Sequence, residues 1–329
     1  RQRQMCIRDR SQAQVVSLLH ELRDPASVEE SITESVERGS DELARIMGGA
    51  DAFQMTAEEN VSAHHYANVL YNVLRGGTYD DQYRVSSRDF RRTVEMFNRP
   101  VFARNEAALS ALPDKLLYSD LLSAIQKLGD AQLERLCGEY LPITFGRRHG
   151  DPSRPWNEFV IKLRDERGDK LLSYQGNWRD IFQNWEALSF SFPEFVETVI
   201  AKFLNATTAD GYNPYRISKE GIDWEVEDPE DPWSHIGYWG DHQIIYLLKL
   251  LELSNRFHPQ RLLASLNQPV FSYANVPYRI KPFESLLEDA KSTVVYDGEA
   301  AKRIEQRVAE KGADGKLMLD ANGEVVQVN

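Results

Sequence analysis

The segment GNWRDIFQNWEAL, residues 176–188, decides the fold prediction because its side chains sort into two faces at helical spacing. Two sets recur at i, i+4, i+7 positions: the apolar Ile181, Trp185 and Leu188, and the polar Arg179, Gln183 and Glu186. The segment is therefore predicted to form an amphipathic helix, with Asp180 in the first turn, where a carboxylate suits the helix dipole. Polar groups of several hydrogen-bonding types beside indoles are also typical of a pocket for a polyhydroxylated ligand.

Helical patterns continue on both sides of this segment. Ser191 and Glu194 match a capping box, and an apolar stripe follows at helical spacing: Val196, Val199, Ile200 and Phe203. The stretch QIIYLLKLLELSNRF, residues 243–257, is apolar nearly all round, which predicts a helix buried on most sides. Short turns separate these helices, so the chain is predicted to be mainly α and built from helical pairs.

Two short stretches read as β-hairpins instead. FVIKL and LLSYQ flank a charged turn, which predicts a small hairpin near residues 159–175. KLMLD-ANG-EVVQV carries the Asn-Gly signal of a second hairpin near residues 316–328. Because a bare apolar edge strand is unfavourable, we expect the protein to continue beyond Asn329.

The composition and the net charge of the chain restrict the classes of binding partner. The 329 residues carry a formal net charge of -12, which makes duplex nucleic acid and anionic membranes poor partners. No run approaches the roughly 18 apolar residues of a membrane span. Cys6 and Cys137 are the two cysteines, so no disulfide framework is expected, and a reducing, cytoplasmic location is predicted.

The basic opening RQRQMCIRDR, residues 1–10, stands apart from the acidic chain. It could be a plain basic tail, or an arm for nucleic acid, a membrane or targeting. It lacks the apolar region of a secretory signal. It also resembles the translated read-through of a sequencing adapter, and we interpret it as such an artefact. The chain is therefore expected to be a fragment of a larger protein, of the kind found in metagenomic assemblies.

Tryptophans are concentrated in the middle of the chain. All six lie in one region: Trp156, Trp178, Trp185, Trp224, Trp233 and Trp239. Each of them could simply anchor a loop onto the core. Because several stand in polar loops, the group is interpreted as stacking platforms of a sugar-binding cleft.

Acidic residues crowd the loop DWEVEDPED, residues 223–231. Mutual repulsion would raise the pKa of some of these carboxyls, which suits a general acid. The loop could equally bind a hard cation such as Ca²⁺ or remain solvated. In YWGDHQ, residues 238–243, Asp241 could be a helix N-cap or a functional acid.

Motifs for cofactors and metals are missing from the sequence. It contains no GxGxxG after a strand, no P-loop, no GxSxG and no HExxH. We therefore predict neither a cofactor nor a metal site.

Four segments together resemble the six-hairpin, (α/α)6-toroid glycosidases: GDPSRPWN, GNWRDIFQNWEAL, NATTADGYNPYRI and GYWGDHQIIYLLKLLEL. That superfamily includes amylo-α-1,6-glucosidases, processing α-glucosidase I, trehalases and cellobiose phosphorylases. Its members often carry an aromatic-Trp-Asp motif at the start of an inner helix, a DGxxPY-type loop and a later Trp-Gly-Asp-like segment. The resemblance covers about residues 145–255 and implies a partial toroid of helical hairpins.

The resemblance also implies a site. Its sugar subsite would contain Trp178, Arg179 and Asp180, and the same cleft would be lined by Tyr212, Asn213 and Tyr215. Asp241 or Glu225 would be the general acid, so the predicted catalytic residues are Asp241, Glu225 and Asp180. Residue patterns add further substrate-binding candidates: Gln183, Trp185, Glu186, Trp224, Trp239, His242 and Arg148. The motif here reads Trp-Arg-Asp rather than the more usual Trp-Asp, and no second catalytic carboxylate stands in a recognisable context.

Domain boundaries follow from the same patterns. Residues 11–54 are predicted to form an N-terminal helical segment, residues 55–298 an incomplete toroid-type domain, and residues 299–329 a helix and the start of a hairpin.

The expected function is hydrolysis of a glycosidic bond in an α-glucan or oligosaccharide by paired carboxylates. The alternatives are a phosphorylase, for which Arg147, Arg148 and His149 are the nearby basic residues, a non-catalytic carbohydrate-binding module, and a purely structural helical module.

Overall fold

A computed structural model of the chain describes residues 22–144, 146–147, 171–224, 244–268, 270–290 and 292–308, together with residues 16, 19, 20 and 230. Helices form most of these ranges, as predicted. They are α1 Pro25–Gly49, α2 Glu59–Gly76, α3 Ser87–Phe97, α4 Arg99–Ser110, α5 Tyr118–Gln126, α6 Ala131–Gly138, α7 Trp178–Ser191, α8 Val196–Asn205, α9 Ile244–Phe257, α10 Arg261–Ser265, α11 Phe283–Glu288 and α12 Gly298–Val308. A 3-10 turn, Pro193–Phe195, joins α7 to α8.

Short strands connect the helices. They are β1 Thr78–Tyr79, β2 Arg84–Ser86, β3 Lys115–Leu117, β4 Ile143–Thr144, β5 Gly146–Arg147, β6 Tyr174–Asn177, β7 Arg216–Ser218, β8 Ile222–Asp223, β9 Tyr278–Ile280 and β10 Val294–Tyr296. Three antiparallel pairs form, β1 with β4, β2 with β3, and β9 with β10. The remaining sheet has the order β5-β6-β7-β8, in which only β5 and β6 are parallel.

The prediction of a mainly α fold with small β insertions is confirmed. Closure of the helical pairs into a toroid stays a prediction, as do the domain boundaries. The hairpin near 316–328 and most of the one near 159–175 lie outside the described residues. The end of the latter, Tyr174 and Gln175, belongs to β6, which is paired with β5 and β7.

The centre of the core lies between α7 and α8. The predicted apolar face of α7, Ile181, Trp185 and Leu188, is buried, and so is the predicted stripe of α8, Val196, Val199, Ile200 and Phe203. Both predictions are therefore confirmed. The helical spacing places each set on one side of its helix, where it can leave water together.

Two local predictions are wrong. Ser191 is the last residue of α7, and no side chain caps the 3-10 turn that follows, because the chain turns directly from one helix into the next. Helix α9 is buried on one side only. Leu250 and Ser254 are fully enclosed, whereas Ile245 and Leu248 are about half exposed, because α9 packs against α7 and α8 on a single face.

The chain between β1 and β4 forms a unit whose two ends meet. Thr78 pairs with Thr144, and Tyr79 pairs with Ile143, so the chain enters and leaves at the same place. Within residues 78–144, α3 packs on α4 and α5 packs on α6, with β2 and β3 joining the two pairs. We call these residues the four-helix unit.

The four-helix unit shares a continuous core with α7 and α8. The ring of Tyr79 stacks on Phe195 with a centroid separation of 4.0 Å. The hydroxyl of Tyr118 lies 2.9 Å from that of Thr198, and both side chains are buried. Apolar and polar contacts therefore both hold the unit in place.

Inside the unit, Asp130 links two helices. Its Oδ1 accepts hydrogen bonds from the backbone N–H groups of Gln132 and Leu133 at the start of α6. Both carboxylate oxygens also bind Arg104 of α4, at 2.6 and 2.9 Å. The pKa of Asp130 is held well below its usual value, mainly by the hydrogen bond from Arg104. Partial burial of the carboxyl opposes this shift.

We expect Asp130→Ala to lower the free energy of unfolding by about 1–2 kcal/mol at pH 7, because the N-cap is lost. Asp130→Asn keeps a capping oxygen and should lose less. Since the folded pKa is depressed, the charge of Asp130 stabilises the fold above the unfolded pKa of about 4, and this contribution disappears as pH falls through the folded pKa. Urea unfolding of wild type and Asp130→Asn at pH 7 and pH 3 measures how this contribution to the free energy of unfolding changes with pH. An advantage of wild type over Asp130→Asn that persists unchanged at pH 3 would contradict it.

Candidate functional site

The start of α7, where the resemblance places the sugar subsite, is held by the four-stranded sheet. Strand β6 leads directly into α7, and the backbone N–H of Trp178 donates to the carbonyl of Tyr215 at 2.9 Å. The loop that follows α8 is thereby joined to the first turn of α7. Asp180 is buried in that turn, with its Oδ1 3.6 Å from Nε of Arg179.

The two tryptophans of α7 are enclosed by protein. Trp178 packs against Phe182 and Phe203 at centroid separations of 4.5 and 5.0 Å. Trp185 meets Tyr174 edge-on, and its Nε1 donates to the carbonyl of Gly76 at 2.9 Å. Both indoles have no exposed surface. In this structure they fill the core and present no face to a ligand.

The side chains of the predicted polar face of α7 are exposed or partly exposed. Gln183 is exposed. Glu186 is paired with Lys249 of α9, with a 3.4 Å separation between Oε2 and Nζ. Arg179 is partly exposed at the start of the helix. Arg179 therefore stays beside the buried carboxyl, whereas Gln183 is exposed and Glu186 is paired with α9, and the three polar candidates do not share one enclosed pocket.

The segment from the end of α8 to Trp224, just after β8, holds the next predicted group. Tyr212 and Trp224 belong to an aromatic cluster with Tyr278, in which Trp224 and Tyr278 are stacked with centroids 5.4 Å apart. Asn213 is buried and its Oδ1 accepts a hydrogen bond from Thr207. Tyr215 is partly buried beside the start of α7. Sequence reasoning missed Tyr278, which comes from the distant β9–β10 pair and carries no local signal.

Several predicted site residues lie outside the described residues. They are Arg148, Glu225, Trp239, Asp241 and His242. The separation between Asp180 and either proposed general acid is therefore not defined by the described residues, and the catalytic assignments stay predictions.

A charged cleft of about 720 Å³ lies between α1, the β1–β2 turn and α3. The cleft lining is made mainly of charged and polar side chains: Arg45, Asp80, Asp81, Gln82, Ser86, Arg88, Asp89, Arg92 and Lys115. Sequence analysis did not select any of them, because they come from four separate segments and have no common spacing.

Each aspartate of the charged cleft has its own basic partner. The pairs are Arg45–Asp80 at 3.8 Å, Lys115–Asp81 at 2.7 Å and Lys219–Asp89 at 2.8 Å. Asp89 also accepts a hydrogen bond from the hydroxyl of Tyr140 at 2.6 Å. Burial, followed by the charge of Asp89, raises the pKa of Tyr140 well above its ordinary value, so the phenol stays protonated and donates.

A second cavity, the helix groove, has a volume of about 650 Å³. One wall comes from α5 and α6 of the four-helix unit and includes Leu122, Ser123 and Glu134. The opposite wall comes from the 3-10 turn, α8, α10 and the segment after it, which contributes Phe271. The groove therefore follows the junction between the unit and the rest of the chain.

Two carboxylates of the helix groove are fixed by one network. Glu197 accepts one hydrogen bond from the Ser254 hydroxyl at 2.7 Å and interacts with Nδ1 of His258 at 3.0 Å. Arg261 binds Glu194 at 2.6 Å. Partial burial would raise the pKa of Glu194, but Arg261 and His258 outweigh it and hold the pKa below its ordinary value. Glu194 is therefore ionised at neutral pH.

One part of the chain is similar to a known protein family. Residues 79–142 match the model of glycoside hydrolase family 149 insertion domain 1. The matched residues fall within the four-helix unit, whose ends are paired as β1 and β4, an arrangement suited to an inserted domain. The match supports relatedness to a glycoside-active enzyme family. No curated protein matches the chain.

The described ranges contain neither a metal-ligand cluster nor a membrane-spanning helix. No group of three or more His, Cys, Asp or Glu side chains there could hold a metal ion. None of the helices described is long and apolar enough to cross a membrane.

Proposed function

We propose that the chain belongs to a cytoplasmic carbohydrate-active enzyme that hydrolyses a glycosidic bond in an α-glucan or oligosaccharide. The observation that carries the proposal is the match of residues 79–142 to an insertion domain of a glycoside hydrolase family. The folded unit that contains these residues begins and ends at one place, as a domain inserted into a larger enzyme should.

The proposed catalytic apparatus lies around the start of α7, within a toroid of helical hairpins of the six-hairpin glycosidase type. Asp180 would bind the sugar or take part in proton transfer, with Asp241 or Glu225 as the general acid. An inverting hydrolase requires two carboxyl groups roughly 6.5–9.5 Å apart with a water between them. Asp180 is the acidic residue in the first turn of α7, and its Oδ1 lies 3.6 Å from Nε of Arg179, an arrangement that would hold the carboxyl in a fixed orientation.

Phosphorolysis is the second candidate, and the charged cleft favours it. Arg88 and Arg92 are one turn apart on α3, and both line the cleft beside Arg45. Guanidinium groups grouped in this way suit an oxyanion such as phosphate. The same enzyme fold could then transfer the glycosyl group to phosphate instead of water.

The full-length protein should release reducing sugar from at least one saccharide in a panel of maltohexaose, cellohexaose, laminarihexaose and trehalose. The assay is run with and without inorganic phosphate, and sugar 1-phosphate is measured in parallel. Product that forms equally without phosphate supports hydrolysis, and sugar 1-phosphate that requires phosphate supports the alternative. Binding without any product would favour a non-catalytic binding module, and the absence of both would refute the proposal.

A further inference from the structure

We propose that the helix groove is an oligosaccharide-binding site separate from the region of Asp180, an inference that rests on the proposed carbohydrate function. The groove lies where the four-helix unit meets the rest of the chain, and such junctions are frequent ligand sites. Its volume of about 650 Å³ falls within the roughly 300–1,000 Å³ of small-molecule pockets. It is large enough for a few sugar units.

Apolar and aromatic side chains supply one requirement of sugar binding. Tyr83, Leu122 and Phe271 line the groove and are partly exposed. The ring of Tyr83 is held in place by stacking on Phe195, with an interplanar angle of 16°. Aromatic faces of this kind pack against the C–H faces of sugar rings.

Fixed polar groups supply the other requirement. Glu194 and Glu197 enter the groove already oriented by His258 and Arg261, so little order would be lost when they accept hydrogen bonds from sugar hydroxyls. Gln126 and Gln268 line the groove as well, and their amides both donate and accept. A neutral ligand rich in hydroxyl groups matches this combination.

The same charges disfavour other occupants. Three carboxylates, those of Glu134, Glu194 and Glu197, line the groove together with the two arginines Arg135 and Arg261, so the lining has no excess of positive charge that would attract a phosphate or a nucleic acid. An apolar helix seated in the groove would bury carboxylates without offering them donors, which is costly. An oligosaccharide offers hydroxyl donors and weakly apolar ring faces at once.

The test fills the groove without disturbing the fold. Ser123 lies on the exposed side of α5 and lines the groove, and its hydroxyl bonds only to the backbone carbonyl of Ser119 among the described residues. Ser123→Trp should therefore block the groove at little cost in stability. Ser110→Trp is the matched control, since Ser110 is an exposed residue at the end of α4 and does not line the groove.

Isothermal titration of the full chain with maltohexaose, cellohexaose and laminarihexaose measures the effect. We expect wild type to bind at least one of them, Ser123→Trp to bind it at least about ten-fold more weakly, and Ser110→Trp to be unchanged. Phe271→Ala should also weaken binding, and melting temperatures check that all variants are folded. Equal binding by wild type and Ser123→Trp overturns the inference, as does the absence of binding to all three glycans.

The groove site and the proposed enzyme activity can be refuted independently of each other. A chain that turns over a glucan while Ser123→Trp binds glycans normally refutes the groove site and leaves the enzyme intact. A chain that binds glycan in the groove but yields no product supports the groove site and refutes the enzyme.

Discussion

Trp185→Ala is expected to lower the free energy of unfolding by about 4 kcal/mol, because it opens a large cavity in the centre of the core. The indole is fully buried and meets both Tyr174 and Phe182 edge-on. The helices around it cannot close the gap, since α2 already approaches α7 closely. A Cβ on Gly76 would lie only 2.6 Å from the Cβ of Asn184.

Two matched variants separate the free-energy cost of the cavity from the cost of the lost hydrogen bond. Trp185→Phe keeps most of the ring volume but removes the N–H that donates to the carbonyl of Gly76, so it should cost about 1–3 kcal/mol. Phe190→Ala on the same helix removes a ring that is 53% exposed and should cost far less than Trp185→Ala. Urea unfolding followed by circular dichroism measures all three. Equal losses for Trp185→Ala and Phe190→Ala would show that the indole is not a core anchor.

Asp180→Asn is expected to reduce kcat/KM on the best glucan by about 100-fold or more, the range typical for a group that transfers a proton in the reaction. The substitution preserves shape and removes only the charge, so the first turn of α7 should remain folded. Loss of activity with an unchanged melting temperature would support a role in the reaction.

Asp223→Asn is the matched control for this prediction. Asp223 lies in β8 of the sheet that leads into α7, and its carboxylate is also paired with an arginine, at 2.6 Å from Nε of Arg216. It is exposed, whereas Asp180 is buried, so its replacement should leave activity within about two-fold of wild type. Comparable activity losses in both variants, or a large fall in melting temperature for Asp180→Asn alone, would show that Asp180 supports the fold rather than the reaction.

Local sequence patterns predicted the helices and the buried faces of α7 and α8, but they overestimated the burial of α9 and did not fix the roles of individual side chains. Helix α7 follows from the spacing of Ile181, Trp185 and Leu188, because side chains on one face are buried together. The same pattern could not tell a core indole from a ligand platform, since both require an aromatic residue. The structure decided this for Trp178 and Trp185 by enclosing them completely.

The charged cleft and the helix groove could not have been predicted from the spacing of residues in the sequence. The charged cleft depends on Asp89, whose partner Lys219 is 130 positions away in the chain. The helix groove depends on Glu197, which His258 contacts across 61 positions. Neither pair has a local periodicity, so only the packing of α3 near β7 and of α8 against α9 brings them together. The acidic run at residues 223–231 was a conspicuous local signal, yet most of it lies outside the described residues.

The sequence by itself determined the helical fold class, the position of α7 and α8, and which of their faces turn inward, because these depend on periodicity within a few turns. Tertiary structure alone decided that residues 78–144 begin and end side by side, and that a groove with fixed carboxylates forms at their junction with the chain. Those features arise from contacts between residues far apart in the chain, whose energies depend on distance and burial after folding and leave no repeat in the sequence.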